Sequence, residues 1–131
     1  MSETKTIKTW EIEGVKVPPP YERILKIILS PETTGNKDLT LLLSLIYPKS
    51  QTDYHKHDGA AEIMYFVSGR GEAVSETGTY KIEPDTVFYA PSGVMHQIKN
   101  LSDEMMKIVC IYIPPISVSY LQKAAEAAKK T

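Results

Sequence analysis

Four residues of this chain have the types and the spacing to bind one divalent metal ion. His55 and His57 flank a single residue, Glu62 follows them closely, and His96 lies in a later segment. The set includes every histidine of the chain. Three imidazoles and one carboxylate suit Mn²⁺, Fe²⁺, Co²⁺, Ni²⁺, Cu²⁺ or Zn²⁺, but not Mg²⁺ or Ca²⁺, which prefer oxygen ligands. Because such a set leaves coordination positions open, the pattern predicts a site for chemistry and not only a structural ion.

Strand periodicity is the simplest way to bring these side chains together. Residues i and i+2 of a strand share one face, so His55 and His57 should point in the same direction. A returning strand would place Glu62 beside them, and a later strand would deliver His96 from across a barrel. Other residues of matching parity should form an apolar wall of the same pocket: Met64, Phe66 and Ile98.

Proton transfer at this site would need a further group, because the chain has no fourth histidine. Tyrosines from nearby strands could supply it, and Gln51 or Asp53 could orient a substrate or support a ligand imidazole. No arginine is evident in the predicted pocket, which disfavours strong phosphate recognition. The candidate catalytic residues are therefore Tyr47, Gln51, Tyr89 and Tyr112.

The rest of the chain consists mainly of short apolar or alternating segments separated by Gly, Pro and Asp, a texture typical of all-β sandwiches and barrels. We expect N-terminal strands within residues 5–30 and a barrel core at about 39–113. The alanine-rich segment 117–130 predicts a short C-terminal helix, with Ser117 or Ser119 as its cap. The length of 131 residues predicts one domain over 1–131.

Composition narrows the function classes. The formal net charge of −1 gives no sign of a nucleic-acid or anionic-membrane binder. No stretch approaches the roughly 18 apolar residues of a membrane span. The start, Met1–Lys5, lacks the apolar core of a secretory signal, and Cys110, the single cysteine, leaves no intrachain disulfide. We therefore expect a cytoplasmic protein in which Cys110 is a small buried apolar residue.

Two segments of the sequence resemble the motifs of the cupin family. Residues 55–69 match the first motif, G-x5-H-x-H-x3-4-E-x6-G, except that Lys49 replaces its leading glycine. Residues 91–100 match the second, G-x5-P-x-G-x2-H-x3-N, with Asp85 in place of the leading glycine. Both departures lie in turns and leave the predicted ligands intact.

The resemblance implies a small double-stranded β-helix, or jelly-roll barrel, with the ion beneath apolar walls at the barrel mouth. It implies that one transition metal ion, with manganese or iron foremost, is held by His55, His57, Glu62 and His96. It also implies a homodimer. With a divalent ion and Glu62 ionised, the site would carry a formal charge of about +1, which favours a small anionic substrate.

Three functions fit this reading, because one fold hosts many activities. The first is a metal-dependent enzyme acting on a small organic acid or phenolic-type molecule, with a dioxygenase slightly favoured. The second is a non-redox lyase, isomerase or decarboxylase in which the metal is a Lewis acid. The third is a small-molecule-binding protein without catalysis.

Overall fold

The computed structural model describes residues 4–117 and 119, and within them nine strands form two antiparallel sheets. In chain order the strands are β1 (Val15–Val17), β2 (Arg23–Leu29), β3 (Thr40–Ile46), β4 (Ala61–Phe66), β5 (Gly71–Ser75), β6 (Gly78–Ile82), β7 (Thr86–Ala90), β8 (His96–Asn100) and β9 (Met106–Ile113).

The large sheet has the order β1-β2-β3-β9-β4-β7, and the small sheet has the order β6-β5-β8. Their facing sides share one apolar core, since Ala73 and Ile98 of the small sheet cluster with Met64, Phe66 and Ile108 of the large sheet. Two antiparallel sheets closed on a common core form the double-stranded β-helix that the sequence predicts.

Strand β9 shows how the sequence directs side chains into this core. Its residues alternate between buried and half-exposed positions from Met106 onward. The alternation matches the two-residue period of a sheet with one face packed and one face outward. Register then places Cys110 beside Met64 and Tyr112 beside Glu62 on the inner face.

A close approach of two backbones holds β5 against β8. At Gly71, a Cβ atom would lie only 1.8 Å from the carbonyl oxygen of Lys99. The buried side chain of Asn100 secures the end of β8, because its Nδ2 donates to the carbonyls of Ile46, Tyr47 and Glu104 at 2.7–3.1 Å. Both contacts fix the strand that carries His96.

The two ends of the chain differ from the central barrel. Within 5–30 the strands are β1 and β2, and Thr9–Glu11 forms a short 3-10 helix before them. A single helical turn, α1 (Pro31–Thr34), begins where the Oγ of Ser30 accepts from the amide of Thr33 at 3.0 Å. The C-terminal helix predicted for 117–130 lies, apart from residues 117 and 119, outside the described residues. In the described part, no helix has the length and apolar character to cross a membrane.

Candidate metal centre

The predicted ligands come from three parts of the barrel. Glu62 lies on β4 of the large sheet, His96 begins β8 of the small sheet, and His55 and His57 lie in the segment between β3 and β4. Reciprocal backbone hydrogen bonds join His55 and His96, at 2.9 Å and 2.7 Å. The carbonyl of His57 accepts from the amide of Gly93 at 2.9 Å, so the turn before β8 fixes that loop as well.

These four side chains converge. One potential ligand atom from each lies within 4.8 Å of the others. The Oε1 of Glu62 is 3.1 Å from Nε2 of His96 and 3.4 Å from Nε2 of His57. The rings of His55 and His96 are 4.6 Å apart between centroids. His57, Glu62 and His96 are each less than a tenth exposed, so the cluster is largely shielded from water.

Two of the imidazoles are already oriented for a metal. Nδ1 of His55 donates to the carbonyl of Asp53 at 2.9 Å, and Nδ1 of His96 donates to the carbonyl of Val94 at 3.0 Å. A carbonyl oxygen can only accept, so each Nδ1 carries a proton and Nε2 remains as the ligand atom. Hydrogen bonds of this kind fix the tautomer and orientation of metal-binding histidines. Donor set and orientation therefore both fit a single transition metal ion.

The charges and hydrogen bonds within the cluster keep its carboxylate ionised, as cation binding requires. Burial acts to raise the pKa of Glu62, but hydrogen bonds and charges from His57 and His96 outweigh it and hold that pKa well below its usual range. Burial acts to lower the pKa of His96, but the hydrogen bond and charge of Glu62 outweigh it and raise that pKa. For His55, burial dominates and lowers the pKa. The carboxylate is thus ionised and ready to bind a metal.

A cavity of about 60 Å³ opens beside the cluster. Met64 and Ile98 line it, as their parity predicts. Phe66 does not line it, although it shares the parity of Glu62 and Met64. It lies at the far end of β4, wholly buried in the core, because each further step of two residues along a strand moves a side chain about 7 Å deeper.

Tyr112 is the one sequence candidate for catalysis that lines this cavity. It lies directly across the strand pair from Glu62, and its ring packs edge-on to His57 with centroids 4.9 Å apart. Burial, and then the charge of Glu62, raise the pKa of Tyr112 well above its usual value. The phenol therefore stays protonated, and its hydroxyl is within hydrogen-bonding reach of Glu62 at the wall of the cavity.

The other three candidates lie elsewhere. Tyr89 pairs with Ile63, one position out of phase with Glu62, and is 57% exposed. Tyr47 follows the end of β3, with the amino group of Lys16 over its ring at 5.2 Å. Gln51 forms an isolated bridge with Lys99. An irregular backbone between positions 51 and 55 breaks the parity that would have directed Gln51 inward.

The structure corrects the expectation that no arginine faces the pocket. Arg23, the first residue of β2, lines the cavity and is 8% exposed. Its Nη1 donates to the carbonyl of Tyr21 at 3.1 Å, and its Nη2 lies 3.6 Å from Oδ1 of Asp53. Arg23 and Leu25 are both buried and Ile24 between them is only half-buried, so the start of β2 directs Arg23 inward.

Cys110 also lines the cavity, between Met64 and Leu42 in register. Burial, and then the charge of Glu62, raise the pKa of its thiol well above the usual value. A protonated, buried thiol is a weak nucleophile and a poor metal ligand. Cys110 therefore serves as a small buried residue that lines the cavity.

A family model for the cupin domain matches residues 42–112, more than half of the chain. The chain belongs to the cupin family. The match contains the small sheet, most of the large sheet from β3 onward, and all four converging residues. The predicted family, its fold and its single-ion cluster are therefore supported by the comparison and by the geometry together.

Several proteins resemble this chain over most of its length. An uncharacterized protein of Methanocaldococcus jannaschii is 27% identical over 115 residues, covering 86% of this chain and 92% of its own. An oxalate-binding protein of Thermotoga maritima is 28% identical over 86 residues, covering 66% and 71%. The crystal structure of a predicted oxalate decarboxylase of Thermotoga maritima superposes with a TM-score of 0.76 at 24% identity, covering 84% and 99%. That structural likeness shows the shared fold.

Proposed function

We propose that this cupin is a metal-dependent enzyme that acts on a small organic acid. The observation that carries the proposal is the convergence of His55, His57, Glu62 and His96 beside a small cavity. With one divalent ion, one ionised carboxylate and neutral imidazoles, the centre has a formal charge of about +1. A net positive centre in a shielded cavity favours an anionic ligand.

The size of the cavity supports a compact substrate. A volume of about 60 Å³ holds only a few water-sized groups. An aromatic ring such as benzene occupies a cavity on the order of 150 Å³. A phenolic-type substrate would therefore require the walls to move apart further than an acid of two or three carbons would.

The residues around the cavity suit reactions that place negative charge on oxygen. A divalent ion held by the cluster would supply Lewis-acid stabilisation of such charge. Tyr112, protonated and buried against Glu62, is placed to donate a hydrogen bond to the same anion. Met64, Ile98 and Ile108 form apolar walls that limit the access of water. These features support a non-redox decarboxylase or lyase as the reaction class, and the names of the Thermotoga relatives agree with a small-acid ligand.

Dioxygenase chemistry at the same metal centre is the alternative reaction class. A third function, ligand binding without turnover, is favoured by the sequence relative that is described as oxalate-binding. The site offers it support, because Tyr112 is a hydrogen-bond donor whose high pKa makes it a weak proton donor at neutral pH.

The test is to reconstitute the purified protein separately with Mn²⁺, Fe²⁺, Co²⁺, Ni²⁺ and Zn²⁺ and to incubate each form with acids of two to four carbons. We expect metal-dependent loss of an acid with release of CO2 or an isomerised product, without oxygen uptake. Oxygen consumed in proportion to substrate would move the enzyme to the dioxygenase class. Binding without product would leave the ligand-binding function, and no binding to any metal-loaded form would contradict the proposal as a whole.

A further inference from the structure

The guanidinium of Arg23 is a buried positive charge whose hydrogen-bonding groups are only partly used. Its side chain is 10% exposed. A guanidinium has five N–H donors and remains charged at ordinary pH. Within residues 4–117 and 119, the hydrogen bond recorded for it goes to the carbonyl of Tyr21. Because Arg23 lines the cavity, the donors that Tyr21 does not use are available to an acceptor group bound there.

Asp53 is the nearest anion to this guanidinium, but it satisfies the charge incompletely. Its Oδ1 lies 3.6 Å from Nη2 of Arg23, which is longer than a charge-assisted hydrogen bond. The Asp53 side chain is 47% exposed, whereas that of Arg23 faces the cavity. The carboxylate is therefore hydrated and screened, and such pairs hold weakly. An incoming anion can take its place without breaking a strong contact.

The metal cluster and Arg23 belong to one cavity. Both line its wall, and Oδ1 of Asp53 lies 3.6 Å from Nδ1 of His55 as well as 3.6 Å from Arg23. One carboxylate oxygen thus separates the guanidinium from a ligand imidazole. Thr52 lies at the same polar side, with Oγ1 donating to the carbonyl of Asp53 at 2.9 Å, and the opposite walls are apolar.

We infer that Arg23 is a specificity-determining residue that binds a second carboxylate of the substrate, so that the site selects short dicarboxylic acids of two to four carbons over monocarboxylic acids. The inference rests on the proposed function, because the first carboxylate is taken to bind at the metal centre. An arginine fork matches a carboxylate in a two-point geometry that a single charge cannot match. The small cavity, about 60 Å³, favours the shorter members of this class.

The test measures acid binding to the Co²⁺-loaded protein by calorimetry, with pairs of equal carbon number: oxalate and acetate, malonate and propionate, succinate and butyrate. The same titrations are made on Arg23→Met, and the metal content is measured after each titration. Methionine has a similar length and retains the apolar packing of the arginine stem without its charge. The matched control is Arg70→Met, since Arg70 lies on the surface with its side chain 65% exposed.

We expect the wild-type protein and Arg70→Met to prefer the diacid of at least one pair by about 10- to 100-fold, the effect of one lost charged hydrogen-bonding pair. In Arg23→Met this preference should fall to near unity while Kd for the monoacids and for Co²⁺ stays within a few-fold. A preference that survives in Arg23→Met would show that the diacid chelates the ion alone, and would overturn the inference.

Other outcomes separate the two proposals. If wild-type protein binds monoacids and diacids equally, the role of Arg23 is wrong while the small-acid function stands. If it binds neither, the proposed function fails. Should Arg23→Met not fold, a crystal structure of the wild-type protein with malonate decides the question. The inference requires one malonate carboxylate within hydrogen-bond distance of Arg23, and a structure with both carboxylates on the ion contradicts it.

Discussion

The Nε2 atom of His96 lies 3.1 Å from Oε1 of Glu62, and both side chains are buried. The two residues belong to different sheets, so this contact joins the small sheet to the large one. Because Nδ1 of His96 already donates to Val94, a hydrogen bond from Nε2 to Glu62 requires a proton on both nitrogens. In the metal-free protein, the proton on Nε2 of His96 therefore lies where a metal ion would bind.

Metal binding should therefore release a proton and become tighter as pH rises. Burial lowers the pKa of His96, but Glu62 outweighs it, so this pKa lies above the ordinary value for histidine. Calorimetry near pH 6.5 in two buffers of different ionisation enthalpy should show net release of protons on metal binding. Affinity that is independent of pH between 6 and 8 would contradict this assignment.

The same contact predicts how the stability of the metal-free protein depends on pH. A folded-state pKa above the unfolded value of about 6.5 gives stabilisation that is complete below that pH and is lost as pH rises through the folded pKa. The urea midpoint of the metal-free protein should thus fall from about pH 6.5 to pH 8, below the range in which Cys110 ionises in the unfolded chain. The metal-loaded protein is the control, and its midpoint should not fall over this range.

Replacing His57 by alanine should abolish metal binding while the barrel remains folded. The core of Met64, Phe66, Ile108 and their neighbours does not depend on the ion, and the lost packing against Tyr112 should cost about 1–3 kcal/mol. Elemental analysis and circular dichroism measure the two effects. The control is Lys56→Ala, between the two histidines and 49% exposed in its side chain, which should keep the metal. An unfolded His57→Ala protein would contradict the expectation.

Replacing Asp53 by asparagine should strengthen diacid binding and weaken the fold slightly. The substitution removes the anion that competes for Arg23, so Kd for malonate should fall several-fold. It also removes a half-exposed counter-ion, worth about 0.5–1 kcal/mol. Calorimetry measures Kd for malonate, and urea unfolding measures stability. The control is Asp103→Asn, because the side chain of Asp103 is 95% exposed. Weaker malonate binding would mean that Asp53 orients Arg23 and does not compete with the ligand.

Replacing Tyr112 by phenylalanine should lower turnover by about 10²- to 10³-fold without loss of metal, because it removes one preorganised hydrogen-bond donor. The ring packing against His57 is retained. The control is Tyr89→Phe, at an outward and 57% exposed position. Steady-state kinetics and metal content are the measurements, and full turnover in Tyr112→Phe would exclude the phenol from the reaction.

Replacing Gly71 by alanine should destabilise the protein by about 3 kcal/mol, since the new Cβ would meet the carbonyl of Lys99. The strands β5 and β8 would have to separate, and β8 carries His96. Gly35→Ala is the control. The space around Gly35 is open, so the expected cost is only about 1 kcal/mol, that of placing alanine at a φ of +73°. Urea unfolding distinguishes the two, and equal losses would show that the close approach is not limiting.

The local spacing of the ligands explains why the sequence predicts the metal cluster well. His55 and His57 are two positions apart, as on one face of a strand, although they lie in an irregular segment whose backbone is bonded to His96 and Gly93. The short spacing of the ligands therefore predicts the cluster even where the strand itself is not formed. The fold follows from the same short apolar strands. Family, barrel and convergence of the four side chains could all be anticipated.

Arg23 could not be assigned in this way, because its contact with the site depends on pairing across β2, β3 and β9. Such register is set by the whole sheet and not by neighbouring residues. Tyr89 and Gln51 show the converse error. For Tyr89 a shift of one position places the side chain on the outer face, and for Gln51 an irregular segment breaks the alternation.

The placement of Glu62 and His96 on opposite sheets has a consequence for motion. An ion held by both would act as a cross-link between the two halves of the barrel, next to the opening through which ligands enter. Widening that opening would stretch metal–ligand bonds, so the loaded protein should have a stiffer mouth and a narrower choice of ligand sizes than the empty one. The metal content of the protein would then decide which ligand sizes its pocket accepts.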